Sequence, residues 1–283
     1  MSREQTPAER IRCSTVTTFR KKLWRPFIHA IKTYRLIQPG DRIAVCISGG
    51  KDSMLMAVLF KELQPHSEIP FEVVNLCMDP GYAQQNRAAI VSNAELLDLP
   101  LTFYENRIFD VTATTPKNPC YLCARMRRGS LYEHAQKLGC NKIALGHHFN
   151  DVTETIMMSM FYAGQIQSMP PRLDSKNFPG MQLIRPLYEI HEEDIIEWQQ
   201  THGLRFLQCA CRLTEAAAVQ GNEHVSKRKE IKTLLHALEL QNPDVQKNIF
   251  NSLHNLDLDT MVGWRAANET HSFLERFNTE VNN

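Results

Sequence analysis

Long apolar runs are missing from this chain of 283 residues. The longest are about eight residues, against the ~20 needed to cross a bilayer, so no membrane span is expected. The opening Met1-Ser2-Arg3-Glu4-Gln5 lacks the apolar centre of a secretory signal, and the expected setting is cytoplasmic, reducing and without a membrane partner. Net charge is almost absent too, with 32 Lys+Arg against 31 Asp+Glu. That excludes a protein held on nucleic acid by its global charge, while a local basic face remains open. With 43% hydrophobic and 22% charged residues, the chain is neither disordered nor low in complexity, and it has no internal repeat. Cysteine is the one unusual presence. Eight of them are too few for a disulfide scaffold at this length, and under reducing conditions close pairs point to metal binding or catalysis.

A further absence is local: from Ile11 to Gly40 there is no acidic residue, while Arg12, Arg20, Lys21, Lys22, Arg25, Lys32 and Arg35 all fall there. Phe19, Leu23, Phe27, Ile28 and Ile31 recur at helical spacing, which predicts an amphipathic helix with a basic outer face, started or kinked at Pro26. That face reads equally as a solvated surface or a nucleic-acid contact. Beyond the Gln38-Pro39-Gly40-Asp41 turn, short apolar runs at 42–47, 71–76, 100–104, 142–145, 182–185 and 204–207 read as strands. Helical patterns at 52–63, 83–97, 122–138, 151–163 and 192–202 alternate with them. This predicts a doubly wound, mostly parallel α/β sheet with ligands at the carboxyl ends of its strands. After Cys211 the pattern is helix only, with 225–240 helical and Asn242-Pro243 opening another helix. The expected units are a basic helical segment at 1–40, an α/β domain at 41–212 and a helical extension at 213–283.

The first strand runs into Ser48-Gly49-Gly50-Lys51-Asp52-Ser53, ahead of a helix. Strand, glycine turn and helix N-terminus form an anion cradle, because backbone N–H groups and the positive helix end face the ligand. Lys51 adds a point charge and the two serines add hydroxyl donors. The Walker form is excluded, since its first glycine would fall on Val45 and its Ser/Thr on Asp52.

Cys120 and Cys123 form a CxxC pair, and Cys209 and Cys211 a distant CxC pair. A fold that joins two such pairs can hold one metal centre. Zinc, an iron–sulfur cluster and a sulfur-carrying dithiol all remain open on ligand type alone. Cys13, Cys46, Cys77 and Cys140 read as structural, Cys46 and Cys77 as buried small hydrophobes in strands. Gly146-His147-His148 and Asp151 follow a later strand and form a second wall, with Asp52 and Asp151 able to hold Mg²⁺ through hard oxygen ligands; as alternatives, Asp151 is a helix N-cap and the histidines join Cys120 and Cys123 around zinc. Arg125, Arg127 and Arg128 read either as a solvated surface or as phosphate contacts, and Lys227, Arg228, Lys229 and Lys232 extend the same basic footprint.

The loop resembles the PP-loop, SGGxDS, of the N-type ATP pyrophosphatases. Cys120-Tyr-Leu-Cys123-Ala-Arg125-Met-Arg127-Arg128-Gly129-Ser-Leu-Tyr132, Gly146-His147-His148-Phe-Asn-Asp151, Met160-Phe161-Tyr162-Ala163-Gly164, Met169-Pro170-Pro171 and Ile184-Arg185-Pro186-Leu187 are similar to the tRNA 2-thiocytidine synthetase (TtcA-type) group. The likeness runs from about 19 to 211. It implies that ATP sits on Ser48, Gly49, Gly50, Lys51, Asp52 and Ser53, with Gly146 and His147 beside it. It also implies that O2 of an anticodon-loop cytidine (position 32 in that family) is adenylated and replaced by sulfur. In that family three cysteines hold a [4Fe-4S] cluster and leave one iron open to sulfide. Cys120 and Cys123 carry over as ligands, whereas the family's distal CxxC is a CxC here, so Cys209 and Cys211 both stand as the third. The implied catalytic residues are Cys120, Cys123, Lys51, Asp52 and Asp151, and Arg125, Arg127 and Arg128 are the implied tRNA contacts. ATP, Mg²⁺ and the cluster follow as cofactors; tRNA, a sulfur donor such as a cysteine desulfurase and a second copy of the chain follow as partners. A thiolase acting on uridine and a non-catalytic, zinc-stabilised RNA-binding protein are the rival readings.

Overall fold

Arg42–Ile47 (β1), buried at every position but its first, is the strand from which the sheet is laid out. The computed structural model describes residues 4–106, 108, 119–207 and 227–277, with backbone alone at 119–121, 123 and 124. β1 lies parallel between Glu72–Asp79 (β2) and Lys142–Ala144 (β4). Thr102–Glu105 (β3) adds to β2, Gln182–Ile184 (β6) to β4, and Arg172–Asp174 (β5) closes the far edge antiparallel to β6. The order of this six-stranded sheet is β3-β2-β1-β4-β6-β5. The strand order reverses between β1 and β4, where such sheets open a ligand crevice.

Lys51–Leu63 (α3) leaves β1 after three residues, and its positions Ser53 to Phe60 are all buried. A helix apolar on every side must be covered on every side. One side meets the sheet; another is closed by Pro7–Val16 (α1) and Arg25–Thr33 (α2), whose Phe27 stands edge-on to Phe60 at 5.6 Å. The described part of the segment 1–40 therefore belongs to the main core. A π-helical turn at Arg20–Trp24 precedes α2, and Pro26 sits in the first turn of α2, as expected of its fixed φ. Part of the basic face is neutralised internally: Lys22 pairs with Glu197 and Asp194, and Arg12 with Glu62 and Asp98.

Gln84–Leu96 (α4), Pro119–Lys137 (α5), Phe149–Ala163 (α6) and Glu192–Thr201 (α7) complete the layers. Lys227–Glu239 (α8) and Val245–Ser252 (α9) pack on α6, Ile231 and Leu235 against Met157, and Phe250 against Phe149. Among the described residues, no helix is long and apolar enough to cross a membrane.

Three local expectations need correction. Residues 204–207 form no strand; Leu204 is buried and Phe206 stacks on Trp198 at 6.2 Å, so this apolar run serves helix packing. The chain after 211 is not helix only, because Gly263–Ala266 (β7) and Glu269–Ser272 (β8) form a hairpin. The second of the C-terminal helices begins at Val245, not at Pro243.

One buried charge pair fastens the entrance of β1. Lys142 Nζ lies 2.7 Å from Asp41 Oδ2, the side chains being 2% and 4% exposed. Lys142 also donates to Leu36 O at 2.9 Å, while Asp41 accepts from Gln38 N and Asn141 Nδ2. Such a pair contributes little net stability when intact but costs about 3–5 kcal/mol when one partner is removed. Lys142→Met should therefore lower the melting temperature by roughly 6–20 °C, and Asp41→Asn in the same chain should recover part of the loss. Thermal unfolding followed by circular dichroism checks both outcomes.

Candidate functional site

Gly49 is where the sequence turns from strand to helix. Its φ of +84° lies in the left-handed region, and a Cβ there would fall 2.6 Å from Ile90 Cγ1 of α4. Gly50 is then the N-cap of α3 and supplies no side-chain cap, so the first turn keeps backbone donors for an anion. Ser53 Oγ accepts from Ser48 N at 3.1 Å, meets Ser48 Oγ at 3.2 Å and donates to Gly50 O at 3.0 Å. The two serines thus brace the turn. Leu207 N donates to Gly49 O at 3.2 Å, so the segment leading to Cys209 is tied to this same loop.

The second wall follows β4. Gly146 lets that chain reach the first turn of α3, since a Cβ there would be 3.2 Å from both Asp52 C and Ser53 N. His148 is the N-cap of α6 and Asp151 its third residue, accepting from His148 N at 3.1 Å. Asp151 is therefore a capping residue at N3 rather than the N-cap itself. His148 Nε2 stands 3.9 Å from Asp52 Oδ1 and 3.6 Å from Asp151 Oδ2, so the two proposed Mg²⁺ carboxylates are gathered about one imidazole. Among the described residues, no group of three His, Cys, Asp or Glu side chains forms a metal cage. Mg²⁺ commonly needs only one or two carboxylates beside phosphate oxygens, and the donor set here fits that mode.

A cavity of about 280 Å³ opens over the loop, bordered by Ser48, Asp52, Ser53, Gly146, His147 and Asp151. Buried His147 Nδ1 has no hydrogen-bond partner there, and burial pushes the imidazole down to about 4, leaving a neutral ring available to a ligand. Arg127 borders the cavity as well. Arg125 and Arg128 do not; they line a separate groove with Tyr132 and Phe178. The expected trio of arginines thus divides between two surfaces.

Lys51 enters a second opening of about 400 Å³ shared with His148, Asp151, Glu154, Glu192, Arg228 and Lys232. Its Nζ lies 3.0 Å from Asp52 Oδ1 and 3.1 Å from Glu192 Oε1. Burial disfavours the ammonium, but these carboxylates more than compensate and raise its pKa. Glu192, opposed by burial yet held by Lys232 and Lys51, falls to about 2. For Asp151, burial is outweighed by His148, His147 and Arg228, and the carboxyl stays below its usual range. Glu154 is the exception, raised by burial to about 7. Glu192 and Glu154 carry no site signal in the sequence; Glu192 looks like any acidic residue in a helix first turn, and only the tertiary contact with Lys51 reveals it.

Cys46, Cys77 and Cys140 are buried free thiols, as expected, while Cys13 is exposed. Cys120 and Cys123 lie one turn apart at the start of the α5 backbone, the helix that carries Arg127. Their side chains lie outside the described residues, as do Cys209 and Cys211. All four candidate ligands are thiols, a set suited to iron–sulfur or zinc.

A mostly parallel sheet, a glycine turn at its switch point and a helix N-terminus facing the crevice define a doubly wound α/β protein that binds a phosphate-bearing ligand. A family model described as the PP-loop domain matches residues 19–211. The tRNA-cytidine(32) 2-sulfurtransferase of Cellvibrio japonicus (strain Ueda107) is 35% identical over 242 residues, covering 83% of this chain and 76% of that protein. The protein of the same name from Shewanella pealeana (strain ATCC 700345 / ANG-SQ1) is 34% identical over 261 residues, 90% of this chain and 79% of that one. The chain belongs to the tRNA-cytidine(32) 2-sulfurtransferase family of PP-loop proteins. Its fold is similar to that of the U34-tRNA thiolase NcsA from Methanococcus maripaludis, solved with its [4Fe-4S] cluster. The TM-score is 0.64 at 21% identity, with 90% of this chain and 87% of that chain covered.

Gly49→Ala should strain the turn and displace it from Ile90, weakening nucleotide binding at least tenfold and costing about 1–3 kcal/mol of stability; equilibrium nucleotide binding and thermal unfolding read the two effects. The raised Glu154 carboxyl has its own signature. Its folded form binds a proton more tightly than its unfolded form, so stability falls as pH rises from about 4.5 to about 7. Glu154→Gln should stabilise the protein at pH 8, on the order of 2 kcal/mol, and the gain should vanish toward pH 4. A gain independent of pH in denaturant titrations would contradict the burial account.

Proposed function

We propose that this protein is an ATP-dependent tRNA thiolase that converts cytidine 32 of the anticodon loop to 2-thiocytidine. The carrying observation is the meeting of two elements at one cavity: the Ser48–Ser53 loop at the sheet switch point, and Arg127 of the helix that begins with Cys120 and Cys123. Membership of the tRNA-cytidine(32) 2-sulfurtransferase family supports the substrate and the reaction.

In this reading the α3 N-terminus, Lys51 and the serine-braced turn hold the phosphates of ATP, and Asp52 and Asp151 bind its Mg²⁺. The target base is splayed from its loop, as single-stranded RNA bases are usually read. Its O2 attacks the α-phosphate and pyrophosphate leaves. Arg127, the cavity's arginine, neutralises charge that develops at the α-phosphate, and Gly146 and His147 border the nucleotide. A sulfur nucleophile then replaces the activated oxygen, and AMP departs. Catalysis is mostly positioning and charge neutralisation.

Cys120 and Cys123, with Cys209 or Cys211, would hold a [4Fe-4S] cluster, which when bound supplies an open iron for sulfide. An all-thiol donor set fits such a group, and NcsA, a tRNA thiolase of similar fold, carries one. Arg125 and Arg128, in their own groove, bind tRNA phosphates. The protein works in the cytoplasm with a sulfur donor such as a cysteine desulfurase, and a homodimer is part of this reading.

Nucleoside mass spectrometry of tRNA from cells lacking the protein tests it. The expected result is loss of 2-thiocytidine, restored by the unsubstituted gene but not by Cys120→Ala, with ATP binding by that variant unchanged. Loss of a thiouridine instead would move the target to uridine, and unchanged nucleosides would refute the proposal.

A further inference from the structure

The second opening at the loop is closed by a helix that lies beyond the matched PP-loop domain. α8 borders it with Arg228, Lys229 and Lys232, of which Arg228 and Lys232, four residues apart and therefore on one side of the helix, pair with carboxylates of its walls. The neighbouring Lys227 is turned elsewhere, over the Tyr162 ring at 4.4 Å. Arg228 Nη1 lies 2.7 Å from Asp151 Oδ1 and 3.4 Å from Glu154 Oε2. Lys232 Nζ pairs with Glu192 Oε2, and the other oxygen of that carboxylate is 3.1 Å from Lys51 Nζ.

A single carboxylate thus bridges the PP-loop lysine and a lysine from α8. Two ammonium groups that share one carboxylate are spaced to share one phosphoryl group, whose oxygens present the same charge and acceptor geometry. From this we propose that Arg228 and Lys232 bind the pyrophosphate end of the nucleotide, opposite Lys51. Glu192 lies between the two ammonium groups in this structure. The inference rests on the nucleotide reading of Ser48–Ser53 and extends its site onto α8.

The alternative, that these two side chains serve tRNA phosphates, is less favoured by their position. Both are engaged with carboxylates of the opening's own walls, beside Lys51. A pyrophosphate there gains three cations and must displace Glu192, so the carboxylate competes with the ligand instead of assisting it.

The test uses the full-length protein and two probes, inorganic pyrophosphate and AMP, measured by calorimetry beside the thermal unfolding of each variant. Arg228→Gln and Lys232→Gln should each weaken pyrophosphate about tenfold or more, the usual scale for a charge-assisted contact. AMP, which lacks that end of the nucleotide, should bind within about twofold of the unsubstituted protein. Lys232→Arg should restore most of the pyrophosphate affinity, and Glu192→Gln should tighten pyrophosphate binding. Pyrophosphate affinity unchanged in both Gln variants would overturn the proposal, and a fall in tRNA affinity alongside would assign α8 to RNA. Equal loss of pyrophosphate and AMP would mark a structural role and overturn it as well. Lys51→Ala separates the underlying reading: if that variant also keeps full pyrophosphate affinity, the PP-loop assignment itself fails.

Discussion

The left-handed turn at Gly49 governs the rest of the site. It allows β1 to end and α3 to begin within three residues, so the helix N-terminus faces the crevice at the sheet switch point. Ile90 and Leu207 crowd the place a Cβ would take, leaving no room for one. α4, the segment after α7 and the loop are consequently one packed unit. An anion held by backbone donors needs that rigidity, because donors that must reorganise lose much of their electrostatic value.

Charge is organised around this turn in alternation. Lys51 lies between Asp52 and Glu192, Glu192 between Lys51 and Lys232, and Asp151 between His148 and Arg228. Lys51, Arg228 and Lys232 thus each have an internal carboxylate partner. This accounts for a near-neutral chain with a strongly charged opening: the positive groups are present and balanced locally by carboxylates. The same logic separates Arg127, at the loop cavity, from Arg125 and Arg128, which sit in an outer groove.

The parts legible in the sequence were those carried by local signals. The β1–loop–α3 unit announces itself through an apolar run, two glycines and a helix start, and the parallel sheet through alternating strands and helices. β5 escaped because three residues, Arg172-Leu173-Asp174, give no period to read. The β7–β8 hairpin escaped because its turn uses Ala267 and Asn268 at positive φ without a glycine. Glu192 and Glu154 gain their meaning from contacts across the fold, which no local pattern encodes. The arginines after Cys123 were visible as charge, but which of them faces the loop depends on how α5 sits on the sheet.

The central claim is that the loop at Gly49 carries out adenylating chemistry on tRNA. The most direct measurement is the fate of ATP labelled at both the α- and γ-phosphates, incubated anaerobically with the reconstituted protein, a sulfide source and unmodified tRNA. The account predicts AMP and intact pyrophosphate, each formed only when tRNA is present and in step with thiolated nucleoside. Formation of ADP and inorganic phosphate, or turnover indifferent to tRNA, would contradict it.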